Sequence, residues 1–332
     1  MKRVNLGIIG LGRQGRIHLR NALRLKEVKV YGVADVSGIA LAYAKKLGVK
    51  KIYKDYQNLL EDEQLDAVVI SLPNFLHLEG AVKAAEAGKH IFLEKPLARN
   101  VAEGEKILSA LEKNDVKLMV NYPLRFDSFL KKIREEIAEG FFGEVEIVDA
   151  TNVSGGPFTP KSDKIGAIPV PVSVPSWWFN KELTGGGALL DLGSHMIDLL
   201  SWYFGEADVL KSYLGYMFNM EFEDTAVCML KFKDGPVANV KVGWFSKDRM
   251  CSIQLCGTTK NVWVRISPKS SLKIVWKDFR RKLFRHSSDS FYLALEHFVK
   301  CLQNDEEPHP SGEEGLQGLR VVSQAYEKAR KQ

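Results

Sequence analysis

Three titratable side chains lie close together in the run GGGALLDLGSHMIDLL, residues 185–200: Asp191, His195 and Asp198. Helical positions three and four apart share a face, so the run predicts acid, imidazole and acid along one stripe. Leu192, Met196, Leu199 and Leu200 fall mostly on another stripe, which would face a core. A histidine titrates near neutral pH and suits proton transfer; an aspartate one turn before it can orient it. Two acids and a histidine are also a metal-ligand set, and a hydrogen-bonded core histidine is the plain structural alternative. The glycines at 185–187 would let the chain pass close to a ligand and enter the helix.

A second group of residues points to nucleotide chemistry. The run VNLGIIGLGRQG ends in Gly10, Gly12 and Gly15, with Arg13 and Gln14 between them, and Asp35 follows 20 residues after Gly15. A glycine pattern after a strand and opening a helix, with an acid at the end of the next strand, is the dinucleotide fingerprint. The glycines allow close backbone approach to a pyrophosphate at the helix N-terminus, and Asp35 would accept hydrogen bonds from the adenine ribose. The alternative is that Asp35 only caps the helix starting near Ser37. A carboxylate there repels a 2′-phosphate, and Val36 beside it offers no positive charge, so NAD is expected rather than NADP. Two further strand-end segments carry polar groups: PNFLH, with Asn74 and His77, and Glu94-Lys95-Pro96. Lysine is rarely buried unpaired, so Lys95 at the end of a buried strand reads as functional, with neutralisation by Glu94 as the bland alternative.

The elements that position these groups alternate. Strand-like blocks such as VKVYGVAD, LDAVVISLP, KHIFLEKP and VKLMVNYP are separated by helical patterns near 14–24, 37–47, 75–88 and 101–114, as in a doubly wound parallel sheet. From about 144 the pattern turns to successive strands with short turns (EVEIVDATNV, VLKSYLGYMF, DTAVCMLKF, VANVKVGWF, CSIQLCG, NVWVRI), predicting an antiparallel sheet. Helices are expected near 288–302 and 313–330. Residues 154–180 read as a long proline-rich loop, a common form of functional lid. It ends in Trp177 and Trp178, which could stack on a sugar ring or a base or simply pack.

The chain has 332 residues, 45% hydrophobic and 27% charged, enough for two globular domains. Its net charge of +6 is mild and does not argue for nucleic acid. The sharpest basic run, KDFRRKLFRH at 277–286, reads as a solvated surface segment, with a site for an anionic ligand, such as a diphosphate, or a lipid surface as the lesser alternative. Four cysteines show no metal-ligand spacing. The apolar runs are strand-sized, which excludes a transmembrane span, and the apolar N-terminal stretch is too short and glycine-rich for a signal peptide. A cytoplasmic protein is expected.

GLGRQG, PNFLH, EKP, DLGSH followed by MID, and FEDTAVCMLKF leading into GPVANVKVGW occur in the order found in one family. The chain resembles the glucose–fructose oxidoreductase/inositol dehydrogenase superfamily (Gfo/Idh/MocA) over nearly its whole length. The resemblance implies an N-terminal Rossmann domain, here 1–122, and a C-terminal α/β domain, 123–332, with a large, open, mostly antiparallel sheet and a last helix able to pack back on the first domain. It implies NAD(P)-dependent oxidation of a secondary alcohol of a sugar, cyclitol or nucleotide sugar, or the reverse, without a metal. Lys95, Asp191 and His195 match the catalytic lysine, aspartate and histidine, His195 being the general acid/base. Gly10, Gly12, Arg13, Gln14, Gly15, Asp35, Asn74, His77, Glu94, Lys95 and Asn121 fall on the cofactor side. Asp198 falls on the substrate side; Trp177 and Trp178, read from the proline-rich loop itself, are placed there as well. VNYPLRF departs from the commoner N-x-R arrangement, which leaves Arg125 without an assigned role. The sheet implies a homodimer or homotetramer, and neither nucleic acid nor membrane is an expected partner. Two other functions exist on this fold: redox-neutral glycosidases that use NAD transiently, and non-enzymatic NAD(P)-binding regulators, which tolerate loss of the lysine or histidine found here.

Overall fold

A computed structural model of the chain describes residues 3–158, 161–165, 168–172, 174–266, 271–277, 280–286 and 289–330. The chain divides into two compact units, residues 1–123 with 291–316, and 124–290 with 317–332.

In the first unit strands and helices alternate: β1 (Val4–Ile9), α1 (Arg13–Arg24), β2 (Val28–Ala34), α2 (Gly38–Lys46), β3 (Lys51–Tyr53), α3 (Tyr56–Leu60), β4 (Ala67–Ile70), α4 (His77–Glu86), β5 (His90–Glu94), α5 (Val101–Asn114) and β6 (Leu118–Asn121). All pairings are parallel, in the order β3-β2-β1-β4-β5-β6. The central strands are apolar on both faces because helices cover both: all four residues of β4 are buried, as are Ile91, Phe92 and Leu93 of β5. The strand order reverses between β1 and β4, the place where ligands bind at the carboxyl ends of strands in such sheets. Short β3 and α3 were not legible in the sequence, having too few residues for a period to show.

The second unit holds α6 (Ser128–Ala138), β7 (Val145–Val153), a ribbon of β8 (Lys161–Ile165) and β9 (Ile168–Val172), α7 (Lys181–Thr184), α8 (Ser194–Phe204), and strands β10 (Ala207–Gly215), β11 (Thr225–Phe232), β12 (Val237–Gly243), β13 (Met250–Gly257), β14 (Asn261–Arg265), β15 (Ser271–Lys277) and β16 (Arg280–His286). Its eight-stranded sheet runs β10-β11-β12-β7-β13-β14-β15-β16, antiparallel except where β12 meets β7. Along β11 buried Ala226, Cys228, Leu230 and Phe232 alternate with more exposed side chains, including Val227 and Met229, so one face forms core and the other is open.

Two segments differ from expectation. The proline-rich loop contains the β8–β9 ribbon, with Pro169 and Pro171 two residues apart in β9. Prolines at alternate positions remove amides from only one edge of a strand, which a two-stranded ribbon tolerates. The basic run falls on β15 and β16, the end of the large sheet; its side chains lie outside the described residues.

The chain then forms α9 (Ser290–Asn304) and α10 (Gly312–Arg330). Phe298 of α9 meets Phe92 edge-on at 5.5 Å, and the Val120 amide donates to the Pro310 carbonyl. These contacts join residues 291–316 to the first unit.

Candidate active site

The first unit brings its expected cofactor residues to the carboxyl edge of the parallel sheet. Gly10 has φ +85°, and a Cβ there would lie 2.4 Å from the Ser71 carbonyl oxygen; a Cβ on Gly15 would lie 1.9 Å from the Gly10 oxygen. Only glycine fits this turn. Gly12 stands at the N-terminus of α1 with no side-chain cap and no atom within 4 Å of a Cβ position. Arg13 is exposed on the first turn, and the buried Oε1 of Gln14 has no hydrogen-bond partner among the described residues. Asp35 accepts the Leu11 amide on one oxygen (2.5 Å) and the Ser37 amide on the other (2.7 Å). Ser37 itself caps α2 through its hydroxyl, so Asp35 ties the glycine loop to the end of β2. An open helix N-terminus, an unpartnered buried acceptor and a carboxylate at the second strand's end suit a dinucleotide.

A polar cluster lies beneath the next two strand ends. Glu94 Oε1 accepts from His18 Nε2 (2.6 Å) and from Asn121 Nδ2 (2.8 Å), and all three side chains are buried. Burial alone would push the Glu94 carboxyl up, but the hydrogen bond and charge of His18, with the Asn121 amide, hold it below the usual carboxylate range. An anionic Glu94 thus precedes half-buried Lys95. His77 is fully buried, its Nδ1 2.7 Å from the Pro96 carbonyl and its Nε2 3.0 Å from that of Leu72. It links the loop carrying Asn74 to the loop carrying Lys95, and burial pushes its pKa down. His18 was missed in the sequence because its partner stands 76 residues away.

In the second unit, residues Leu189–Gly193 wind as one π turn before α8 begins at Ser194. Such turns occur often at functional sites. Asp191 lies in this turn and His195 in the first turn of α8, both half-exposed, while Met196, Leu199 and Leu200 are buried. The Trp244 indole donates to Asp191 Oδ2 (3.2 Å), and Asn152 Nδ2 donates to the Leu192 carbonyl (3.3 Å). Trp178 meets Trp244 at 6.0 Å and Trp177 at 5.3 Å, so the tryptophan pair packs beside the residue that holds Asp191. Trp244 was not singled out in the sequence, though it ends the GPVANVKVGW motif.

Asp198, expected among the substrate groups, lies in an ion pair. It is buried, and both its oxygens are taken by Arg125, at 3.0 Å from Nε and 2.7 Å from Nη2. A paired guanidinium satisfies a carboxylate that burial would otherwise destabilise. Arg125, left without a role by the sequence, is its partner. Among the described residues no group of three or more His, Cys, Asp or Glu side chains is placed to hold a metal, and no helix is long and apolar enough to cross a membrane.

Comparison with known proteins decides the family. Residues 4–122 match the profile described as "Oxidoreductase family, NAD-binding Rossmann fold", and residues 130–262 match that of the GFO/IDH/MocA C-terminal domain. The chain belongs to the Gfo/Idh/MocA family. It is an NAD-binding oxidoreductase. Myo-inositol 2-dehydrogenase of Thermotoga maritima is 28% identical, over 95% of this chain and 93% of that one. Levoglucosan dehydrogenase of Pseudarthrobacter phenanthrenivorans is 25% identical, over 83% and 77%. The solved structure of a levoglucosan dehydrogenase with NADH and levoglucosan superposes with a TM-score of 0.87 at 22% identity, covering 99% of this chain and 98% of that one, which establishes the shared fold.

Proposed function

We propose that this oxidoreductase oxidises a secondary alcohol of a sugar, cyclitol or nucleotide sugar, with His195 as general acid/base and Lys95 assisting. The observation that carries the reading is the pair Asp191 and His195, both half-exposed on one π-to-α turn, with Asp191 held by Trp244. The glycine turn of Gly10, Gly12 and Gly15 with Asp35 would hold NAD, which would supply the acceptor for the hydride of the carbinol carbon. His195 takes the hydroxyl proton, so the C–O bond becomes a carbonyl and the imidazole becomes imidazolium. The Lys95 ammonium, supported by anionic Glu94, favours the negative charge that develops on the oxygen. Asp191 orients substrate and imidazole. Trp177 and Trp178 offer an apolar ring face, and Asp198 acts through Arg125 rather than on substrate. The named activities of the relatives, on myo-inositol and levoglucosan, are both oxidations of ring hydroxyls and set the first substrates to try.

Purified protein with NAD should form NADH with one class among myo-inositol, levoglucosan, free aldoses and UDP-sugars, and His195→Ala should lower that rate about 1000-fold. Binding of NADH without turnover of any of them would overturn the reading; release of alcohol from aryl glycosides in the same wells would assign a redox-neutral hydrolase instead. We also propose that the open face of the large sheet, with Ile147, Tyr213, Val227 and Met229 exposed, joins copies of the chain. Light scattering should then give a dimer or tetramer that Tyr213→Glu/Val227→Glu reduces to a monomer.

A further inference from the structure

A single residue gathers the three amides that lead into the π turn and open it. Glu223, just before β11 in the run FEDTAV, accepts the Gly187 amide (3.1 Å), the Leu189 amide (2.9 Å) and the Tyr326 hydroxyl (2.9 Å) on Oε1. Its main-chain carbonyl accepts the intervening Ala188 amide at 3.0 Å. Glu223 is 2% exposed, and burial pushes its carboxyl up. A buried carboxylate must be matched by donors, and here the donors are the chain that leads into the site.

The closeness of this contact changes the meaning of the glycine run. A Cβ on Gly187 would lie 1.8 Å from the Glu223 carbonyl oxygen, and one on Gly186 2.2 Å from the Tyr326 hydroxyl. These two glycines make room for Glu223 and Tyr326, not for a ligand. The π turn starts at Leu189, the last of the amides so held. Because its bonds run i to i+5 rather than i to i+4, each residue within it turns through a smaller angle. The direction of Asp191 relative to His195 therefore depends on where the wide turn begins.

We propose that Glu223, seated by Tyr326, is a positioning residue for proton transfer: it sets the start of the π turn and so the aim of Asp191 and His195. This rests on the functional reading above. The test measures hydrogen exchange in 187–193, the NADH dissociation constant by fluorescence, and kcat and KM with whichever of the four substrate classes wild type oxidises. Glu223→Ala should speed exchange and lower kcat about 100-fold, the order expected for a misplaced catalytic group. Tyr326→Phe should lower it about 5-fold, the worth of one hydrogen bond. Glu223→Gln, which keeps an acceptor oxygen, should recover most of the loss. NADH affinity should stay within about 2-fold of wild type, since a missing cap differs from global loosening. Wild-type kcat in both Glu223→Ala and Tyr326→Phe, or unchanged exchange, would overturn the proposal, as would equal losses in kcat and NADH affinity. If Glu223→Ala does not fold, Tyr326→Phe decides. If wild type binds NADH but oxidises no substrate, the functional reading fails, and exchange at Gly187 and Leu189 alone judges the clamp.

Discussion

In the first unit the glycine turn and Asp35 are arranged mostly by main chain close in sequence. Gly10, Gly12 and Gly15 share one turn, and Asp35 reaches back only 24 residues to the Leu11 amide. In the second unit Asp191 is held by Trp244, 53 residues away, and Asp198 by Arg125, 73 residues away. The amides of Gly187 and Leu189, at the entry to the π turn, meet Glu223 36 and 34 residues on, and Glu223 meets Tyr326 103 residues further. A nucleotide's phosphates can be bound by main-chain amides, which any sequence with the right turn presents. Aiming a proton-transfer group demands side-chain contacts from several directions.

That contrast can be broken or sharpened experimentally. The largest effect is expected in the second unit: His195→Ala should lower kcat for the oxidised substrate by about 1000-fold, the middle of the range for general-acid/base loss, with NADH binding intact by fluorescence titration. Loss of both would mean that the two units do not divide the work in this way. In the first unit, His18→Ala leaves Glu94 buried without its short contact. It should cost about 3 kcal/mol of stability in urea unfolding, as for a broken buried pair. Gly12→Val adds a side chain in open space, so the melting temperature should hold while NADH affinity falls about 100-fold through blocked phosphate approach. Unchanged affinity would remove the glycine turn from cofactor binding.

The smallest effect is one of pH. Because burial raises the Glu223 carboxyl above its ordinary value, ionising it costs the folded state more than the unfolded one. Wild type should therefore lose stability relative to Glu223→Gln as pH rises through the raised pKa, and regain it as pH falls toward 4. The readout is the difference in melting temperature between the two across pH 4 to 8. A gap that widens in the opposite sense would mean that the donors around Oε1 outweigh burial.

Much of the fold was legible because its signals are local. The helices at Arg13–Arg24 and Val101–Asn114 and six strands of the large sheet follow from apolar period and breakers. Strands β15 and β16 were not legible, because Lys277, Arg280, Arg281, Lys282 and Arg285 read as surface charge while cross-strand pairing depends on a partner further along the chain. The site was legible in part. Asp191 and His195 stood out by spacing, but an α-helical stripe is not a π turn, and Asp198 in the same stripe turned inward to Arg125.

Sequence by itself determined the family, the parallel sheet with its glycine turn and Asp35, and the identity of the groups able to do chemistry, since each depends on residue type and near spacing. Tertiary structure alone decided that Glu94 is held by His18 and Asn121, that Trp244 holds Asp191, and that the glycines at 186 and 187 face Glu223 and Tyr326. These pairings join residues tens of positions apart, and a buried donor finds its acceptor only once the chain has packed.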